Sequence, residues 1–228
     1  MILENFIVFE GIDGAGTSTQ IKKLKELNNE NLLFTAEPTG DPTGKFLRQM
    51  LKGDVKVEAE TAAFLFAADR NEHINGKMTL CPDDRQLLVK GVKEACLKNK
   101  VVISDRYIFS SLAYQATDGD ASLVQMLNSK FPLPQLLFYF DIQPSASLKR
   151  IQSRDVKEIY EKESFLEKTA CNYKNLLDEY SPQKKGQGMK IVVLDACQSI
   201  EKINGNIIEE IEKTTNISFT GPNAIRQN

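Results

Sequence analysis

The sequence predicts an α/β fold, a doubly wound, five-stranded parallel sheet with helices on both faces, on three observations. Near-continuous apolar runs of strand length recur at 6–9, 32–35, 101–104, 136–140 and 191–194, as suits strands covered on both faces. Stretches of helical period separate these runs. The first run also leads directly into a glycine-rich turn, and a helical pattern begins at Ser18. Sheets of this kind bind ligands beyond the carboxyl ends of their strands, so the chemistry is expected just after each run.

The turn is Gly11-Ile12-Asp13-Gly14-Ala15-Gly16-Thr17-Ser18. Glycines let backbone N–H groups curl around an anion, and the following helix adds the positive end of its dipole. The phosphate-loop pattern G-x-x-x-x-G-K-[ST] is met at Gly11, Gly16 and Ser18 and broken at Thr17, where lysine is required. In the first helix Ile21, Leu24 and Leu27 share one face, with Lys22, Lys23 and Lys25 turned outward.

Composition narrows the partners. The 228 residues carry a formal charge of −2 and no polybasic run, which argues against a nucleic-acid polymer. Cys81, Cys96, Cys171 and Cys197 are widely spaced, and His73 is the single histidine. Buried reduced thiols fit better than zinc or disulfides. The chain enters a strand almost at once and has no apolar run long enough to span a bilayer. A soluble, cytoplasmic protein without a membrane partner is expected.

After the second run comes a turn-rich loop from Ala36-Glu37-Pro38 to Gly44. Its Asp41-Pro42-Thr43-Gly44 matches the D-x-x-G of guanine-nucleotide switches, but the chain has no N-K-x-D segment to read the base. A helical segment over 58–74 carries Phe66 and Arg70 one turn apart, where a ring and a fork of donors could hold a planar base. In isolation, Phe66 is more often core and Arg70 more often a surface charge. The third run ends at Asp105-Arg106-Tyr107, followed by Ser110, Ser111, Tyr114 and Gln115. The acid suits a metal shell and the arginine a second phosphate; an Asp–Arg pair capping the next helix is the plainer alternative. The fourth run ends at Asp141, and the helix after it carries Arg150, with Arg154 one turn on. The charged stretch 155–162 suits a mobile lid or, equally, a solvated helix face. Residues 181–188 read as a surface connection, 200–213 as a closing helix and 216–228 as a loose tail.

Four segments together carry a resemblance: 9–14 (Phe-Glu-Gly-Ile-Asp-Gly), Glu37-Pro38, 65–70 (Leu-Phe-Ala-Ala-Asp-Arg) and Asp105-Arg106-Tyr107-x-x-Ser110. In order and spacing, the chain resembles the thymidylate kinases, P-loop nucleoside monophosphate kinases that move a phosphoryl group from ATP to dTMP. The resemblance implies a P-loop NTP hydrolase-like fold, a single domain over 1–215 and a small lid at about 153–163. Gly11, Gly14, Ala15, Gly16, Thr17, Ser18 and Thr19 would hold the ATP phosphates, and Arg150 would lie beside the adenine. Phe66 would stack on thymine, with Arg70 on one base edge and Ser111 or Gln115 on the other. Arg106, with Ser110 and Glu37 nearby, would hold the dTMP phosphate. Asp13 would touch the sugar or phosphate, and Tyr114 would exclude a ribose 2′-hydroxyl. Ser18 and Asp105 would organise Mg²⁺, with Glu10 or Glu37 in the outer shell. Arg154, Arg106 and Asp13 would serve the transfer step. Homodimerisation would follow only from the family's habit.

Two departures from the family stand out. Thr17 replaces the loop lysine, and Ala36 stands where many bacterial members have arginine. A cation about 4 Å from a phosphate oxygen is worth roughly 4 kcal/mol at an effective dielectric near 20. Lost only in the transition state, that is about a thousandfold in rate. Arg154, with Lys157 or Arg150, is the expected substitute. Two alternatives stay open: a same-fold kinase for another nucleotide or nucleoside, and a nucleotide-binding module weakened by Thr17.

Overall fold

The computed structural model describes residues 1–76, 91–151 and 163–219. Its centre is a five-stranded, wholly parallel sheet in the order β2-β3-β1-β4-β5. The strands are β1 (Ile2–Gly11), β2 (Leu32–Ala36), β3 (Val101–Asp105), β4 (Leu133–Asp141) and β5 (Lys190–Asp195). Each contains one of the apolar runs. Phe6, Ile7, Val8 and Phe9 are all fully buried. Successive side chains of a strand point to opposite faces, so both faces of β1 are covered. That is why the β1 run is continuous rather than alternating; the run at 191–194 departs from the expectation, since β5 is an edge strand and its Val193 is exposed.

Helices α1 (Thr17–Lys25), α2 (Pro42–Leu51), α3 (Ala59–Asn75) and α4 (Gly91–Leu97) accompany the first half of the chain. After β3 come the short α5 (Ile108–Ser110), a π-helical stretch (Ser111–Gln115), α6 (Ala116–Asp118) and α7 (Ala121–Asn128). Helices α8 (Pro144–Ile151), α9 (Glu163–Glu179) and α10 (Ile200–Thr214) complete the description. Asp120 caps α7 and Ser199 caps α10 through their side chains. None of the described helices is long and apolar enough to cross a membrane.

Several sequence expectations shift. Helix α1 stops at Lys25, so Leu27 lies beyond it and is exposed, while Gln20 joins Ile21 and Leu24 on the buried face. Lys25 folds back over the Phe34 ring instead of facing only water. Cys96 on α4 is buried, but Cys171 on α9 and Cys197 in the turn after β5 are exposed, and Cys81 lies outside the described residues. The D-x-x-G glycine is explained by packing, because a Cβ on Gly44 would stand 2.2 Å from the Thr39 carbonyl oxygen. Past 216, Ile217 and Phe219 still pack against the core, and the Phe219 N–H donates to Glu212.

A second, smaller apolar cluster joins Leu47, Met50 and Leu51 of α2 to Ala62 of α3, with Phe66 packed against it. This cluster fixes where the Phe66 ring sits relative to the carboxyl ends of β1, β2 and β3.

Candidate functional site

One crevice opens beyond the ends of β1, β2 and β3. It is lined at one end by Asp13, Gly14, Gly16, Thr17, Ser18 and Thr19, and at the other by Phe66, Arg70, Ser111 and Gln115; Glu37, Asp105, Arg106, Ser110 and Tyr114 lie between. Of the sequence-predicted residues that are described, all but Glu10, Gly11, Ala15 and Arg150 line this crevice. Gly11 and Ala15 stand behind the wall, Gly11 being pressed against Phe140 of β4. Arg154 and Lys157, with the expected lid apart from Glu163, lie outside the described residues.

The loop takes its shape from backbone conformations that glycine tolerates. Gly14 and Gly16 have φ of 80° and 102°, in the region a Cβ disfavours. A Cβ on Gly14 would also come within 2.9 Å of the Ser147 carbonyl oxygen in α8. The Ser147 hydroxyl donates to the Asp13 carbonyl, and the Asp13 N–H donates to the Tyr114 hydroxyl at 3.0 Å. No side chain of the loop is cationic. Arg150, the described member of the expected compensating group, donates to the Gly14 carbonyl (3.3 Å) and the Ala196 carbonyl (2.9 Å).

Ser18 donates to Asp105 Oδ2 at 2.8 Å. The other carboxylate oxygen, Oδ1, is buried and lacks a hydrogen-bond partner. Such an oxygen beside a hydroxyl is the donor chemistry that a hard divalent cation takes. No group of three or more His, Cys, Asp or Glu among the described residues could hold a metal. An ion here would therefore complete its shell with water and phosphate oxygens. The carboxylate oxygens of Glu10 and Glu37 already have protein partners, Tyr107, Ser110 and Tyr173 for the first and Arg70 and His73 for the second.

Arg106 sits in the middle of the crevice with φ of 71°, an uncommon conformation for a side-chain-bearing residue. It does not pair with Asp105, as the capping alternative required. Its guanidinium bonds Asp13 and donates to the Gly11 carbonyl (3.0 Å) and Ser110 Oγ (3.1 Å). It also lies 5.2 Å from the centre of the Tyr114 ring. Burial works against its charge, but its surroundings, the Asp13 and Asp105 carboxylates among them, outweigh that and hold it firmly protonated. Burial and the Asp13 charge push the Tyr114 hydroxyl far above its ordinary range, so it stays neutral.

Arg70 is almost wholly buried. Its Nε and Nη2 donate to Glu37 Oε2 (2.9 and 2.7 Å), Nη1 donates to Asn128, and Nη2 also reaches Ser111 Oγ (3.0 Å). Glu37 Oε1 faces His73 Nδ1 at 2.8 Å, and His73 Nε2 faces Thr35. Burial raises the Glu37 carboxyl, yet Arg70 and His73 more than offset it and hold the group below its ordinary value. Arg70 is thus fixed in place by an ion pair. Beside it, Gln115 Oε1 is buried without a partner. The π-helical geometry places Ser111, Tyr114 and Gln115 together on the crevice wall, a recurrent use of such turns.

Four participants escaped the sequence reading. Asp69 accepts from the Thr39 N–H and from the Thr39 and Thr43 hydroxyls, anchoring the loop before α2. Asn128 and His73 hold the Arg70 cluster. Arg48, next to buried Leu47 on amphipathic α2, lines the crevice and donates to the Pro38 carbonyl. Only Arg48 had a local signal, as the cation bordering a helix's apolar face.

Fold and crevice define an α/β phosphate-loop protein with a partly buried arginine, Arg106, set against the loop. The model of the thymidylate kinase family matches residues 9–207. A Leptospira interrogans protein named thymidylate kinase is 36% identical over 203 residues, spanning 86% of this chain and 92% of its own. A Treponema pallidum (strain Nichols) protein, provisionally given the same name, is 36% identical over 215 residues, with 93% and 97% covered. The "Probable thymidylate kinase" of Methanococcus maripaludis (strain DSM 14266) is 37% identical over 210 residues, with 92% and 96% covered. The chain belongs to the thymidylate kinase family.

Proposed function

We propose that this protein transfers the γ-phosphoryl group of ATP to dTMP, giving dTDP and ADP. The observation that carries the reading is that one crevice is lined by a glycine-built anion cradle, by the Arg106 guanidinium beside it and by Phe66, Arg70, Ser111 and Gln115, which would take a base. An acceptor phosphate oxygen attacks the γ-phosphorus. A new O–P bond forms as the bond to the ADP oxygen breaks, and the acceptor needs no general base because it is already anionic. Positioning and charge neutralisation do most of the work in such transfers.

In this reading Arg106 neutralises the acceptor phosphate, and Asp13, ion-paired to it, orients it. Phe66 stacks on the base. Gln115 Oε1 accepts the N–H of a thymine ring, and a remaining Arg70 donor meets a ring carbonyl. Tyr114, tied to the loop at Asp13, occupies the place of a ribose 2′-hydroxyl. Ser18 and Asp105 would hold Mg²⁺, which when bound neutralises charge on the transferring phosphates. Arg154, with Lys157 or Arg150, supplies the cation that Thr17 does not. The family likeness extends the reading to a cytoplasmic homodimer, and half-exposed Phe64 on α3 is an apolar contact available to a second copy.

A coupled ADP-release assay over a panel of nucleoside monophosphates, with and without Mg²⁺, tests it. Turnover should be highest with dTMP, weak with its ribose counterpart and lost on chelation. Binding of ATP and dTMP without turnover would refute the reading.

A further inference from the structure

Behind Arg106 lies a carboxylate that the transfer reaction does not touch. Glu10 of β1 is fully buried and does not line the crevice. Oε1 accepts the N–H groups of Tyr107 (2.8 Å) and Ser110 (3.1 Å), and Oε2 accepts the hydroxyls of Ser110 (2.6 Å) and Tyr173 (2.8 Å). The Ser110 and Tyr173 hydroxyls are themselves 3.0 Å apart. Four donors from two separate elements thus meet on one side chain from a third.

We propose that Glu10 and Tyr173 are positioning residues for the acceptor phosphate, acting through Ser110 and the backbone of 107–110 on Arg106. The inference rests on the reading above, in which Arg106 grips that phosphate. A hydroxyl has one hydrogen. Because Ser110 gives its hydrogen to Glu10, its lone pair faces Arg106 Nη1 and accepts from it. Arg106 keeps its left-handed backbone through its N–H to the Phe9 carbonyl (2.9 Å) and the Ser104 hydroxyl on its own carbonyl (2.7 Å). Glu10 fixes the N–H of the very next residue. A conformation of this kind persists only where its surroundings over-determine it. Tyr173, on α9, supplies the remaining donor to Oε2.

Two substitutions separate the hydrogen bonding from the packing. Tyr173→Phe deletes one hydroxyl and keeps the ring beside Tyr139 and Tyr114. Glu10→Gln keeps volume but replaces an acceptor with an amide donor at one position. With that donor toward Ser110, the hydroxyl loses its carboxylate acceptor and turns its hydrogen to Tyr173 Oη or at the Arg106 guanidinium, either of which disturbs the donor order behind Arg106. Losing a hydrogen bond to a charged group corresponds to about a ten- to hundredfold change. KM for dTMP should rise by about tenfold or more in both variants, with KM for ATP within about twofold of the parent. Arg106→Ala is the reference. If it raises the dTMP KM while Tyr173→Phe and Glu10→Gln leave it unchanged, the positioning role is refuted and the kinase reading stands. Equal rises in both KM values would mark a merely structural role and also refute it. Should Arg106→Ala itself leave the dTMP KM unmoved, the acceptor-grip reading fails and this inference falls with it.

Discussion

Replacing Glu37 by Gln would remove the negative charge between Arg70 and His73 while keeping the side-chain volume. Arg70 and Glu37 are 1% and 4% exposed at their side chains, and Arg70 Nη2 is 2.7 Å from Oε2. Gln can still accept from Arg70, and its amide can face His73 if that ring presents a lone pair. What is lost is the counter-charge to a buried guanidinium. Removing one partner of a buried ion pair costs about 3–5 kcal/mol, and the retained hydrogen bonds favour the lower end. For a domain of this size about 1 kcal/mol moves the midpoint by roughly 2–4 °C, so Glu37→Gln should melt roughly 6–12 °C below the parent. Calorimetry at neutral pH measures this. The pH dependence is a second check. The folded Glu37 carboxyl lies below its ordinary value of 4.5, so its contribution is present above the unfolded value and lost as pH falls through the folded one. The gap between parent and variant should therefore be flat from neutral pH down to about 5 and close only in acid. A variant melting within about 2 °C of the parent would refute the view that this ion pair holds Arg70 in place.

Further outcomes follow from the same geometry. Burial pushes the Glu10 carboxyl up to about 7, against the pull of Arg106, Ser110, Tyr173 and the Tyr107 N–H. A raised carboxyl stabilises below the unfolded value and loses that contribution as pH rises through the folded one. Urea unfolding at pH 5 and pH 8 should thus show Glu10→Gln gaining about 3 kcal/mol relative to the parent; parallel curves would contradict it. Phe66→Ala should raise KM for dTMP about tenfold, since stacking on a base is worth roughly 1–3 kcal/mol, and steady-state kinetics with ATP saturating would reveal an unchanged value if the ring is only core. Arg154→Ala should cut kcat by up to about a thousandfold, with Thr17→Lys restoring part of it. Full turnover in Arg154→Ala would rule out that residue as the substitute cation.

By itself the sequence determined the five strands, the glycine turn and the end of the sheet where the chemistry gathers. These are local matters: short continuous apolar runs bounded by turn residues suit buried strands, and a turn with φ of 80° and 102° at Gly14 and Gly16 requires glycine where it stands. The convergence of Ser18 on Asp105 and of Phe66 and Arg70 on one crevice was legible for a related reason, since parallel strands all deliver their following residues to one edge. Tertiary structure alone decided the partners. Arg106 could have paired with its neighbour Asp105 but bonds Asp13, 93 positions away. Arg70, readable as a surface charge, is buried where Glu37, Ser111 and Asn128 meet it from three other parts of the chain. Glu10 and Tyr173, 163 positions apart, touch only because β1 and α9 pack together. Period and propensity act over one turn of chain, whereas the choice among several chemically equivalent partners is made by which side chains the packed core leaves within 3 Å.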